Sequence, residues 1–413
     1  MEAGRISNGD PEAGPVRRVV TDQLGFIAPF TTATSTMPPI QPSGRPETVN
    51  VRRVQFAALL VGLSLVTAPA VAAGSPGGPS TIGRANAVPG GTGSTLTARI
   101  SRARVLAYWT PARMRAARSL EVAAGGGRVA QLGEAASSAA GSTSSPFLGI
   151  QELLGRGTSV FQAVTGSPWT EGGAIVRTIG KIFLSFGTSD FVCSGAIARD
   201  TRVDKSLVLT AAHCTYDQIG RRFATNWLFV PAWDMSPSAS CAGTAYGCWT
   251  AEGLVLHRTF ATAGGFTDAA TARDYAFAVV GQGGKTGVDQ LDATVGSMPL
   301  SFSPPPIGDR AAAFGYPAVS PYGGNDLIWC AGHTFNDPQN SANPTGIACN
   351  MTPGSSGGPW LARFSRTYGS GVLVSVTSYG YAGTSELFGP RFDRTTRAVL
   401  TAADAAGGNQ LVR

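Results

Sequence analysis

The feature that most constrains the fold of this chain is a series of short apolar runs that begins near Ala174 and continues towards the C-terminus. Glycine, proline and aspartate separate the runs, and several are rich in valine, isoleucine and phenylalanine. Many short runs of this kind are typical of the strands of an all-β sandwich or barrel. The predicted strands cover residues 175–186, 191–193, 206–210, 226–230, 275–280, 311–314, 347–350 and 371–378.

The composition agrees with a β-rich fold. Glycine contributes 54 of 413 residues and charged residues only 14%, which suits tight turns and short strands better than long surface helices. One helix is predicted near the C-terminus, beginning with Asp393 as its N-cap and running to Gly407.

The net charge of +7 belongs to the N-terminal part of the chain. Residues 1–166 contain 15 basic and 8 acidic residues, whereas residues 167–413 contain 17 of each. A domain that binds nucleic acid would carry clustered basic charge on its folded surface. We therefore expect no nucleic-acid partner.

The chain before the predicted strands divides into three segments. Residues 1–50 lack periodicity and are interpreted as an unstructured leader, with a start codon near residue 50 as the alternative. Residues 51–72 combine two arginines, an apolar stretch and an Ala-Val-Ala site, the pattern of a secretory signal peptide. The apolar stretch is shorter than a membrane-spanning helix needs. We therefore expect an extracellular protein with no stable membrane association after signal cleavage. Residues 73–170 are interpreted as a propeptide or linker, and residues 171–413 as the folded domain.

All six cysteines lie between Cys193 and Cys349, in the neutral half of the chain. An even number beside an export signal indicates disulfides formed in an oxidising compartment. No Cys-x-x-Cys pair of the kind found in structural zinc sites occurs, so no metal is expected. Cys241 and Cys248 are predicted to form one bridge because they would close a short turn.

A glycine-rich turn from Gly354 to Pro359 surrounds Ser356. The glycines would let several backbone N–H groups point at one spot, as a nucleophilic serine requires to stabilise an oxyanion. The N–H groups of Gly354 and Ser356 are the expected donors. In a chain this rich in glycine and serine, the alternative is an ordinary turn.

A serine nucleophile also needs a general base. The chain has three histidines, His213, His257 and His333, and all precede Ser356. That order excludes an α/β-hydrolase, whose Gly-x-Ser-x-Gly motif would fit but whose histidine follows the serine. His213 follows an apolar strand and is the predicted base. His257 is interpreted as a surface residue and His333 as part of a turn.

A carboxylate is needed to orient the imidazole and stabilise its protonated form. Asp274 starts an apolar run, where its side chain would be half-buried beside a barrel seam. Asp268 is the alternative, although it lies in a polar loop. The predicted order of the triad is His213, Asp274, Ser356.

Together these motifs resemble the chymotrypsin-like serine peptidases, in a bacterial secreted branch that includes actinobacterial and glutamyl-endopeptidase-like members. Thr-Ala-Ala-His-Cys at residues 210–214 is highly specific to this family. Cys-Ser-Gly at 193–195 and the serine turn at 354–359 resemble two further family motifs. Residues 108–114 are a weaker match to a segment of actinobacterial peptidase precursors. The resemblance covers roughly residues 174–400.

The resemblance implies two six-stranded antiparallel β-barrels with the active site in the cleft between them. It implies that Ser356 attacks the peptide carbonyl, that His213 accepts its proton, and that no cofactor takes part. It also implies a Cys193–Cys214 bridge, which leaves Cys330 and Cys349 to pair. The expected partners are protein or peptide substrates, and the expected state is a monomer.

Two positions depart from the family pattern. Ser355 replaces the aspartate that, in the animal enzymes, receives the new N-terminal amine after zymogen cleavage, so activation by that ion pair is not available. Asn350 stands where trypsin has an aspartate, which argues against specificity for arginine or lysine. The expected substrate-binding residues are Asn350, Thr377, Ser378, Tyr379 and Gly380.

The sequence therefore predicts a secreted serine endopeptidase that is made as a zymogen. The alternative is a catalytically inactive homologue that acts as a binding module.

Overall fold

The computed structural model describes residues 101–120, 163–235 and 239–413. The leader and the signal peptide lie outside the described residues, as do residues 73–100 and 121–162 of the predicted propeptide or linker. The strands in chain order are β1 (Arg118–Ser119), β2 (Val164–Pro168), β3 (Ile179–Phe186), β4 (Ser189–Ala198), β5 (Ser206–Thr210), β6 (Tyr216–Asp217), β7 (Arg222–Phe223), β8 (Thr225–Pro231), β9 (Trp249–His257), β10 (Ala276–Val280), β11 (Arg310–Gly315), β12 (Ile328–His333), β13 (Phe335–Asn336), β14 (Thr345–Ala348), β15 (Pro359–Ser365), β16 (Ser370–Val376), β17 (Tyr379–Gly380), β18 (Glu386–Gly389) and β19 (Gln410–Val412). The α-helices are α1 (Pro111–Ala116), α2 (Ala174–Thr178), α3 (Arg258–Thr262), α4 (Asp268–Thr271), α5 (Leu291–Val295) and α6 (Arg394–Ala405), and residues 101–108 are also helical.

Six antiparallel strands close the first barrel. Their order is β4-β3-β8-β9-β10-β5, and β5 pairs with β4 to complete the circle. The apolar runs form these strands because their side chains can be buried in the barrel. Phe183, Phe229 and Trp249 are all fully buried, and burying a side chain of this size stabilises the fold by roughly 2–3 kcal/mol. The predicted all-β barrel fold is confirmed here.

Two antiparallel sheets build the second half of the fold. One has the order β2-β12-β11-β15-β16 and the other β13-β14-β18-β17. A separate core cluster packs between them and includes Ala313 and Trp360 of the first sheet with Ile347 and Leu387 of the second. The strand β2 lies before residue 171, where the folded domain was predicted to begin, and it pairs with β12.

Helix α6 begins where the sequence predicted. The Asp393 carboxylate accepts hydrogen bonds from the backbone N–H groups of Thr395 and Thr396 at 2.8 and 3.1 Å. The Thr396 hydroxyl accepts from the backbone N–H of Asp393 at 3.1 Å, which completes a capping box. The helix ends at Ala405, two residues before the predicted Gly407.

The first predicted strand is wrong over its N-terminal residues, which form helix α2 instead. Gly173 lies in the left-handed region with φ of +87° and turns the chain into this helix. The backbone N–H groups of Ala174 and Ile175 donate to the carbonyls of Tyr368 and Gly369, which fixes the start of α2 against the second half of the fold.

Three disulfides link residues that are distant in the sequence or close a turn. The pairs are Cys193–Cys214, Cys241–Cys248 and Cys330–Cys349, the same three that the sequence analysis proposed. Within the described part of the chain, no helix combines the length and the apolar character that crossing a membrane would require.

Candidate active site

Adjacent barrel strands bring His213 and Asp274 together. Strand β5 ends at Thr210 directly opposite Ala276, the first residue of β10. His213 lies in the turn after β5, and Asp274 lies just before β10, so both reach the same end of the barrel. The His213 Nδ1 atom lies 2.7 Å from the Asp274 Oδ2 atom, and the backbone N–H of His213 donates to Asp274 Oδ1 at 2.9 Å.

A third hydrogen bond holds the same carboxylate. The hydroxyl of Ser378 donates to Asp274 Oδ2 at 2.6 Å, and Asp274 is fully buried. Since a carboxylate oxygen accepts hydrogen bonds, this contact favours the His213 tautomer that carries its proton on Nδ1 and leaves Nε2 as the acceptor nitrogen. Nε2 is buried and has no hydrogen-bond partner within the described residues, so it is available to a reacting group.

The turn that carries Ser356 depends on glycines that no other residue could replace. Gly354 and Gly357 have φ of +104° and +78°. A Cβ atom at Gly357 would lie 2.1 Å from the Thr210 hydroxyl, and one at Gly358 would lie 2.0 Å from the Phe314 carbonyl oxygen. The backbone carbonyl of Ser356 accepts from the N–H of Ser194 at 2.7 Å, which fixes the serine close to the end of the barrel that carries His213.

Ser194 also fixes Gly354, which precedes Ser355 and Ser356. Its hydroxyl donates to the Gly354 carbonyl at 2.8 Å and accepts from the backbone N–H of Tyr316 at 2.9 Å. The Ser355 hydroxyl donates to the Thr352 carbonyl at 2.9 Å. These bonds hold the loop in place without a carboxylate at position 355.

Ser356 opens into a cavity of about 410 Å³. The five residues predicted to bind substrate, Asn350, Thr377, Ser378, Tyr379 and Gly380, all line it. The volume of the cavity is large enough for an amino-acid side chain next to Ser356.

The walls of this cavity are themselves braced. The Tyr379 hydroxyl donates to the buried carboxylate of Asp337 at 2.5 Å, and the Tyr381 hydroxyl donates to the same oxygen at 2.8 Å. Burial, reinforced by Asp337, raises the pKa of Tyr381 to about 12 and that of Tyr379 further still. Both tyrosines therefore stay neutral and keep donating to Asp337.

Two solved structures are similar to this chain in sequence. The thermostable serine protease AL20 from an extremophilic microorganism is 36% identical over 56% of this chain and 99% of its own, with a TM-score of 0.48. The protease Anisep from Arthrobacter nicotinovorans is 36% identical over 56% of this chain and 98% of its own, with a TM-score of 0.48. This level of identity across nearly the whole of each relative is decisive. The chain belongs to the bacterial chymotrypsin-like serine proteases.

More remote comparisons add nothing to that family membership. A Glu endopeptidase in complex with MPD is 18% identical over 59% of this chain and 98% of its own, with a TM-score of 0.44, and no property of this protease follows from it. No protein-family model matches the chain, and no curated protein matches it.

The alternative residues of the sequence analysis lie elsewhere in the protease. His257 caps helix α3 by accepting from the backbone N–H of Thr259 at 3.1 Å, and burial lowers its pKa. His333 contacts the Gly308 carbonyl at 2.7 Å and is exposed. Asp268 accepts from the backbone N–H of Ser341 at 3.0 Å, so Asp274 is the carboxylate that reaches His213.

Two residues contribute to the site of this protease in ways that the local sequence did not indicate. Ser378 was expected only to bind substrate, although its hydroxyl also holds Asp274. Ser194 was read only as the variable position of a Cys-x-Gly motif. Its hydrogen bonds join residues 122 and 160 positions apart, and no local pattern signals contacts over such separations.

Proposed function

We propose that this protease is an endopeptidase with His213, Asp274 and Ser356 as its catalytic triad. The observation that carries the proposal is the buried Asp274–His213 pair, whose Nε2 has no hydrogen-bond partner among the described residues. Ser194 holds the backbone of Ser356 at the same end of the barrel. Ser355 and Ser356 of the glycine-rich turn line a cavity of about 410 Å³, a volume large enough for a substrate side chain. Cutting within a chain, rather than at its end, rests on the resemblance noted in the sequence.

The proposed mechanism is acyl transfer in two steps. His213 Nε2 removes the proton from the Ser356 hydroxyl as its oxygen attacks the peptide carbonyl, and the protonated imidazole then gives that proton to the leaving amine. A water molecule, activated by the same nitrogen, hydrolyses the resulting ester and restores Ser356. Asp274 stays ionised and stabilises the imidazolium throughout.

The oxyanion of each tetrahedral intermediate would be bound by the N–H groups of Gly354 and Ser356. Neither N–H donates a hydrogen bond within the part of the chain that the structure describes, which supports this role. Donors held in place before the reaction stabilise the developing charge, and removing one such donor typically costs a hundredfold or more in rate.

The substrate preference follows from the cavity lining. Asn350 is uncharged, and its side-chain oxygen accepts from the Tyr322 hydroxyl at 2.6 Å, so we expect an uncharged residue before the cleaved bond. Glu386 is the charged residue among those described that line the cavity. Cleavage of a peptide library distinguishes the two, because a preference for lysine or arginine would implicate Glu386 instead.

The setting of the enzyme is also part of the proposal. Three disulfides are compatible with secretion into an oxidising environment, and we propose that the protein is exported, matures by loss of residues before the domain, and acts as a monomer. No nucleic acid or cofactor is needed for the chemistry described.

Peptide hydrolysis and probe labelling of three variants test the catalytic assignment. Ser356→Ala and His213→Ala should each abolish hydrolysis of a peptide amide and labelling by a fluorophosphonate probe, whereas His257→Ala should keep both. Each variant should be secreted with a wild-type circular dichroism spectrum. Near-wild-type activity of Ser356→Ala would place the nucleophile elsewhere, and a folded wild-type protein that neither cleaves nor labels would favour the inactive binding module.

A further inference from the structure

Residues 101–120 lie on the outside of the first barrel, although they precede it in the chain by more than forty residues. The barrel closes without them, because its six strands pair in a complete circle. Strand β1 is an addition to that circle and pairs in parallel with β4. The segment is therefore bound to a surface that the barrel forms by itself.

An acidic residue on the barrel receives two side chains of this segment. The Asp190 carboxylate accepts from the Tyr108 hydroxyl at 2.7 Å and forms an ion pair with the Arg113 guanidinium at 2.9 Å. The guanidinium also lies 4.1 Å from the centre of the Tyr108 ring. The three groups hold one another in a fixed arrangement, which gives the contact its specificity.

Apolar anchors surround this polar contact. Trp109 is only 3% exposed; its ring centre lies 5.4 Å from that of Phe183, and its indole N–H donates to the Asn226 carbonyl at 2.5 Å. Met114 of helix α1 is 4% exposed. Deeply buried tryptophan and methionine flanking an ion pair are typical of a specific interface rather than a loose tether.

The last residues of the segment lead to the candidate active site. Arg118 and Ser119 pair with Phe191 and Val192 of β4. Leu120 follows directly, is 4% exposed, and lines the same cavity as Ser356. The end of the segment therefore forms part of the wall around the space proposed for a substrate side chain.

We propose that residues 101–120, the blocking segment, are an intramolecular inhibitor that binds the barrel surface around Asp190 and narrows the substrate cavity by adding Leu120 to its wall. The inference rests on the proposed function of Ser356 and adds how that function is restrained. Hydrolysis of a peptide bond between the blocking segment and β2 turns a tethered inhibitor into a free peptide, which dissociates on dilution. The barrel surface then remains as a binding site for peptides with the same aromatic and basic anchors.

The test uses the full chain with a recognition site for a sequence-specific viral protease inserted between residues 121 and 162. Uncut and cut protein are diluted and treated with a fluorophosphonate probe, and the bands are resolved on a denaturing gel so that each form is scored separately. Labelling of the cut form should be at least tenfold faster. Equal labelling of both forms overturns the inhibitor, while labelling of neither overturns the proposed nucleophile instead.

Variants of the uncut form locate the contact. Arg113→Ala should accelerate labelling severalfold because it removes the ion pair with Asp190. Arg115→Ala lies on the same helix with an exposed side chain and should label like the wild type. Leu120→Ala removes the side chain that lines the cavity and should also accelerate labelling. If Arg113→Ala and Leu120→Ala both label as slowly as the wild type, the assigned contacts are wrong.

A synthetic peptide of residues 101–120 provides a second readout that does not require refolding of any variant. Added to the cut and desalted enzyme, it should inhibit peptide hydrolysis in competition with substrate, and a peptide with Trp109→Ala should inhibit at least tenfold less. Absence of inhibition at millimolar peptide would contradict a specific binding surface.

Discussion

Ser194 offers the sharpest test of how the loop that carries Gly354 and Ser356 is held in place. Its hydroxyl is fully buried, donates to the Gly354 carbonyl and accepts from the Tyr316 backbone N–H. Ser194→Ala leaves both backbone groups buried without these partners, and each such loss costs about 1–2 kcal/mol. We therefore expect the free energy of unfolding to fall by about 2–4 kcal/mol.

Catalysis should suffer separately from stability. The bond to the Gly354 carbonyl fixes the orientation of the loop whose N–H groups would bind the oxyanion. Losing about 1.4 kcal/mol of preference for that orientation corresponds to a tenfold lower kcat/KM. The assays are peptide amide hydrolysis well below the unfolding temperature and urea unfolding of the same preparation. The reduction should appear in kcat rather than KM.

Ser375→Ala is the matched control. The Ser375 hydroxyl is also buried, but it donates to the Pro390 carbonyl at 2.8 Å rather than to the loop that carries Ser356. It should lose stability while keeping kcat/KM within about twofold of the wild type. If Ser194→Ala lost stability but retained wild-type kcat/KM, the hydroxyl would serve folding alone and would have no part in positioning the loop.

Three further predictions follow from the described contacts. Asp274→Asn should lower kcat by about 10³–10⁴-fold with little change in KM, since His213 would lose its orienting acceptor; steady-state kinetics check this. Burial lowers the pKa of Lys181 from its ordinary value of 10.5 to about 8. Between these two pH values the Lys181 amine is protonated in the unfolded chain but neutral in the folded one. The free energy of unfolding should therefore rise with pH across that interval by up to roughly 3 kcal/mol. Lys181→Met should abolish the rise in urea titrations. Cut chains that begin anywhere from Ser142 to residue 163 should have comparable kcat, because Ser355 cannot pair with a new amine. A chain beginning at Ala174 loses β2 and the buried Trp169 and should melt several degrees lower. A kcat that depends sharply on one N-terminus would contradict the first expectation.

The sequence sufficed for those features that are encoded locally. Thr-Ala-Ala-His-Cys and the glycine-rich turn mark His213 and Ser356 because their chemistry requires particular neighbours in the chain. Alternating and continuous apolar runs mark the strands, because the side chains on the buried face of a strand must be apolar. Asp393 marks the start of α6, because a cap acts on the next three residues.

What the sequence could not supply depends on contacts between distant residues. Ser378 and Asp274 meet only after the two halves of the fold assemble, and nothing near either residue reveals the bond. Helix α2 was predicted as a strand because apolar runs of five residues fit both structures, and Gly173 decides the outcome through contacts with residues far along the chain. The packing of residues 101–120 on the barrel also depends on distant contacts. Tyr108 and Arg113 belong to a recognisable motif, but nothing near them in the sequence points to Asp190 as their partner.

The Cys193–Cys214 bridge has a consequence for motion in the cleft. It joins β4 covalently to the turn that carries His213, while the next residue in β4, Ser194, holds the backbone of Ser356. His213 and Ser356, the proposed base and nucleophile, are thus both attached to one short piece of β4. If one half of the enzyme bent against the other when a substrate entered, we would therefore expect His213 and Ser356 to move together.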